Sequence, residues 1–106
     1  MAGKRVVISA RARDDLRRGT AWYRQQGGVA VALSWVDAVS AALRHIGQHP
    51  KTGFTRYAIE LKLDGLRHWP IRGFPHLIFY MEHDEQIHVG RVLHGQRDIP
   101  AWLREP

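Results

Sequence analysis

The sequence contains no cysteine, and that absence removes several classes of protein at once. Neither a disulfide framework, a thiolate zinc site nor a cysteine nucleophile is available. A reducing cytoplasm is the easier home for such a chain, so a cytoplasmic location is expected. The opening residues, MAGKRVVISARARDD, carry one apolar run of only a few residues before charge returns. That is too short for a signal h-region or a membrane span, and no membrane partner is expected. No serine sits in a G-x-S-x-G turn: Ser9, Ser34 and Ser40 fall at a helix cap or along a helix. Phosphate-binding glycine loops, internal repeats, linkers and low-complexity segments are missing too. His45 and His49 lie four apart, a spacing that can place two metal ligands on one helix face. No H-E-x-x-H or third ligand cluster accompanies them, and the negative end of a helix dipole favours partial positive charge there anyway. No metal and no cofactor are expected.

What remains is 106 residues, 44% of them hydrophobic, with four tryptophans. That is one compact domain, residues 1–106, large enough to bury a core, with 95–106 as a C-terminal tail that packs back or meets a partner. The net charge of +6 is unevenly placed: nine basic and three acidic residues from Met1 to Gly53, then seven of each from Phe54 to Pro106. A basic N-terminal half favours nucleic acid or an acidic protein partner. Arginine-rich helices that are merely well solvated give the same composition, so charge alone does not decide.

Lys4 to Ile8 reads as a short strand, and Ser9 offers its oxygen as a helix N-cap, with Asp14 and Asp15 early where the dipole favours anions. From Ala10 to Gln26, Ala12, Leu16, Gly19 and Tyr23 form one helical stripe. Gly27-Gly28 ends that helix. A second helix from Val29 to Gln48 carries Ala32, Trp35, Val36, Val39, Leu43 and Ile46 on one face and stops before Pro50. The two helices form a hairpin. Lys51 to Tyr57 reads as a loop, and the alternation of Ile59, Leu61 and Leu63 with Glu60, Lys62 and Asp64 reads as strand or extended chain.

The stretch Leu66–Asp98 reads as three strands broken at Gly73-Phe74-Pro75 and at the acidic cluster 82–85. Leu77 to Tyr80 is apolar throughout, as a strand buried on both faces would be. Pro100 can open a short helical turn with Ile99, Trp102 and Leu103 as its apolar face. Arg67, Arg72, Arg91 and Arg97 border the strands; they either solvate a sheet edge or contact a target. Metal-independent RNA cleavage is the one chemistry the composition supports, with Arg72, Arg91, Arg97, His76 and His94 as the available groups.

The strings LRHWPIRGFPHLIFY and VGRVLHGQRDIPAW, the opening VVISARARDDL and the segment WVDAVSAALRHIGQHPKTG resemble the ParE branch of the ParE/RelE toxins of type II toxin–antitoxin systems. The resemblance covers nearly the whole chain. It implies an α+β, two-layer fold: an N-terminal strand, a helix hairpin, then a three- to four-stranded, mainly antiparallel meander, with the first strand beside the last. Ribonuclease members of the RelE branch use an arginine just after the glycine-aromatic turn, a second beyond the last strand, and a tyrosine or His-Tyr pair near the C-terminus. Here Pro75 and His76 follow Gly73-Phe74, and the C-terminal aromatic is Trp102, which has no hydroxyl to move a proton. Arg97 matches the second arginine.

The resemblance therefore implies a toxin that inhibits DNA gyrase by binding, with no catalytic residues, and that meets nucleic acid only indirectly through gyrase. A ParD-like antitoxin would neutralise it in a hetero-oligomer. Target contact falls to Arg67, Arg72, Arg91, Arg97 and Trp102, and antitoxin contact to Trp22, Arg17, Arg18, Leu43 and Leu103. A ribosome-dependent messenger RNA endoribonuclease and a non-toxic antitoxin-binding module are the alternatives.

Overall fold

The computed structural model describes residues 3–96 and 99–104. Strand β1 (Arg5–Ile8) leads into one long helical element, α1 (Ala10–Gln48). Ser9 is the N-cap: its side chain accepts from the Ala12 amide at 3.0 Å. Inside α1, Gly28 adopts φ 81°, ψ −175°, a conformation open only to glycine. It breaks the element into two arms, and the hairpin expected from Gly27-Gly28 is formed.

After a 3-10 turn (Pro50–Thr52) comes α2 (Arg56–Leu61), then β2 (Leu66–Pro70), β3 (His76–Glu82), β4 (Gln86–His94) and α3 (Ile99–Arg104). The sheet order is β1-β4-β3-β2, with β1 parallel to β4 and the remaining pairs antiparallel.

The extended chain expected around Ile59–Leu63 is a helix instead. Its apolar positions do not alternate in and out: Tyr57 is buried, Leu61 half-buried and Ile59 exposed at 77%. Arg56 and Glu60 pair one turn apart at 3.3 Å, and Lys62, in the left-handed region at φ 55°, ends the helix. Phe54, expected in a plain loop, forms an isolated antiparallel bridge with His68 on the open edge of β2.

Two cores lie on opposite faces of the sheet, which is why Leu77–Tyr80 has no polar side. On one face the hairpin packs Ala12, Trp35, Val39, Ala42 and Ile46 against Ile78, Tyr80, Ile87, Val89 and Val92. On the other, α2 and α3 bring Tyr57 and Ile99 onto Leu66, Phe79 and Leu93. A β-bulge between Phe79 and Tyr80, opposed by Arg91 and Val89, leaves Gly90 unpaired. The extra residue reverses the alternation of β4. Ile87, Val89 and Val92 thereby share one core while Leu93 joins the other.

By length and composition α1 could cross a membrane, with mean hydropathy 1.3 over its best 18 residues. Here it is broken at Gly28, and Trp35, Val39, Ala42 and Ile46 of its second arm are core.

Candidate functional site

Strand β1 ends at Ile8, opposite Val89, while β4 continues to His94. The first arm of α1 completes that uncovered edge with side chains. Ser9 donates its amide to the Val89 carbonyl at 2.9 Å and its hydroxyl to the Gly90 carbonyl at 2.9 Å. Asp15 then accepts the Val92 amide at 2.9 Å. The same carboxylate takes Nε and Nη2 of Arg91 at 2.9 and 3.1 Å. This bidentate pair is 10% and 11% exposed at its two side chains. Arg91 Nη1 donates to the Trp102 carbonyl at 3.1 Å, and its guanidinium lies 5.6 Å from the Trp102 ring. One arginine thus ties the hairpin, β4 and α3 together.

Above this junction is a pocket of about 360 Å³ lined by residues of four elements. The first arm of α1 supplies Asp15, Arg18, Gly19, Trp22 and Tyr23; β3 and β4 supply His76 and Arg91 to His94; α3 supplies Trp102. Gly19 lets the two arms of α1 pack closely, since a Cβ there would stand 2.5 Å from the Trp35 ring. His76 and His94 are cross-strand partners with ring centroids 5.3 Å apart. His76 also packs edge-on against Trp35 at 4.7 Å and Tyr23 at 6.0 Å. Burial pushes the Tyr23 hydroxyl above its ordinary pKa.

Of the residues expected to touch a target, Arg91 and Trp102 line this pocket. Arg91, expected at a solvated border, is buried at 8% exposure because Asp15 neutralises it. Arg67 is elsewhere, half-buried on β2 and donating to the Gly53 carbonyl at 2.8 Å. Arg72 is exposed in the β2–β3 turn, and Arg97 lies outside the described residues. The four arginines therefore do not form one rim.

Of the expected antitoxin contacts, Trp22 and Arg18 line the pocket and Arg17 is exposed on the same arm. Leu43 and Leu103 are partly buried against the two cores. Asp15, Tyr23, His76 and His94 complete the site. In the sequence Asp15 reads only as a dipole partner, and Gly90 within a strand is the one signal for the altered register around Arg91.

Elsewhere, Lys4 and Lys51 hold Glu82 at 2.9 and 3.1 Å. His45 stacks on Trp69 at 4.0 Å and bonds the Thr52 hydroxyl at 2.8 Å, so it serves packing. No group of three or more metal-binding side chains occurs among the described residues.

A long helical hairpin on a mixed four-stranded sheet, with a pocket where the two meet the C-terminal helix, defines a small α+β fold. Residues 6–99 match the family model described as ParE toxin of type II toxin-antitoxin system, parDE, and the chain belongs to that family. Among solved structures, it is similar to one titled "Chromosomal ParDE TA system from P. aeruginosa", at 16% identity and TM-score 0.72. The match covers 86% of this chain and 95% of that one. No curated protein matches.

Proposed function

We propose that this ParE-family chain inhibits DNA gyrase by binding it and is neutralised by a ParD-like antitoxin. The observation that carries a binding mechanism is the state of Arg91. Its guanidinium is spent on Asp15 and the Trp102 carbonyl. An arginine saturated in this way has no fork left to stabilise charge developing on a phosphate. Trp102, beside it, has no hydroxyl for proton transfer. The pocket and the exposed hairpin face instead suit a protein surface. Trp22, Val29, Leu33 and Val36 are exposed at 57, 60, 59 and 43%. Arg13, Arg17 and Arg24 are exposed on the first arm with Trp22, while Val29, Leu33 and Val36 lie on the second. An apolar stripe beside a basic one fits an acidic amphipathic segment of an antitoxin.

Purified protein should inhibit supercoiling by gyrase and lose that effect when the antitoxin is added. Absence of inhibition at large molar excess would overturn the reading. One observation favours a second reading, ribosome-dependent RNA cleavage: the His76–His94 pair, 5.3 Å apart, is close enough to handle one proton each way. That reading expects messenger RNA cleavage on induction, abolished in His94→Gln.

A further inference from the structure

We infer that the pocket above Arg91 seats a single carboxylate side chain of a protein partner, carried next to an aromatic one on the same segment. The inference rests on the chain being a toxin held by other proteins, and it supplies the chemistry of one contact. Several donors line the pocket, and the one carboxylate in its lining is already engaged. Asp15 accepts Arg91 and the Val92 amide. His94 Nδ1 accepts the Gln96 amide at 3.1 Å, which leaves Nε2 as the protonated, donating nitrogen of the neutral ring. Trp22 Nε1 is a further donor in the lining, and the Tyr23 hydroxyl can also donate.

Charge sets the ligand's size. Arg91 is neutralised, so Arg18 is the cation the pocket can offer. Arg18 meets Asp14 at 3.2 Å in a pair whose side chains are 76% and 51% exposed. Such an exposed pair is weak and exchanges readily. One available positive charge matches one carboxylate, whereas a nucleic acid strand calls for a track of cations along its phosphates. The walls set the neighbour. Trp22, Tyr23 and Trp102 offer ring faces, and a volume of about 360 Å³ holds an aromatic side chain together with a carboxylate.

The test titrates isotope-labelled protein with N-acetyl-tryptophanyl-glutamyl amide, its glutaminyl counterpart and adenosine monophosphate, following indole and imidazole resonances. The glutamyl dipeptide should shift Trp22, Trp102 and His94 saturably. The glutaminyl form, or Arg18→Gln protein, should bind about tenfold more weakly, the loss of one charge-assisted hydrogen bond. Arg56→Gln, on α2, should leave binding unchanged. Equal binding of both dipeptides, tighter binding of the nucleotide, or shifts elsewhere would each overturn the inference. The same preparation is assayed against gyrase. Inhibition without dipeptide binding refutes the pocket chemistry alone, and specific dipeptide binding without inhibition supports it while refuting the gyrase reading.

Discussion

Replacing Asp15 with asparagine should destabilise the fold more than its conservative chemistry suggests. The change keeps shape and leaves one oxygen to accept the Val92 amide, but it strips the charge facing Arg91. The two side chains are 10% and 11% exposed, so water offers Arg91 little compensation. Breaking one partner of a buried ion pair costs about 3–5 kcal/mol, and the retained amide bond places Asp15→Asn near about 3 kcal/mol. In a chain of this size that lowers Tm by roughly 10–20 °C.

Urea and thermal unfolding followed by circular dichroism would measure the loss. Arg91→Met should cost a similar amount, because it leaves the Asp15 carboxylate equally buried and without its cation. The double variant Asp15→Leu, Arg91→Met should cost less than the sum of the Asp15→Leu and Arg91→Met single variants, since an apolar pair removes the orphaned charge. A loss below about 1 kcal/mol in Asp15→Asn, or simple additivity in the double variant, would refute the reasoning.

Gly19→Ala should cost about 1–3 kcal/mol by overpacking, because the new methyl would sit 2.5 Å from the Trp35 ring; unfolding midpoints of the variant measure it. Gly28→Ala, forced into φ 81°, ψ −175° at the hairpin break, should cost about 1–3 kcal/mol by strain, read by the same midpoints. The Lys4 hydrogen bond, aided by Lys51 against partial burial, holds the Glu82 carboxyl below its ordinary range. A carboxylate with a lowered folded pKa adds stability that is complete above its unfolded pKa and disappears as pH falls through the folded one. Wild type should therefore exceed Glu82→Gln in stability at neutral pH, and the gap should close on acidification below the unfolded value of 4.5.

The elements easiest to find in the sequence are those fixed locally. Ser9 caps α1, Gly27-Gly28 breaks it, and the stripes through Ala12 and Trp35 face the sheet because helical periodicity fixes their direction. Ile59–Leu63 misled because, in a six-residue helix, apolar residues two apart imitate strand alternation. Arg91 misled more seriously. Its side chain is aimed by a bulge at Gly90 and neutralised by a carboxylate 76 residues away, and neither pattern nor charge count reports a partner at that separation. The pocket forms for the same reason only in three dimensions: Trp22, His94 and Trp102 come from three elements with no shared spacing.

The central claim is that the chain acts on gyrase by binding. Its most direct test is to induce the chain in bacteria without an antitoxin and quantify gyrase covalently trapped on DNA alongside messenger RNA integrity. Accumulation of gyrase-linked DNA breaks while messenger RNA stays intact is the predicted result; cleaved messenger RNA with no trapped gyrase would contradict it.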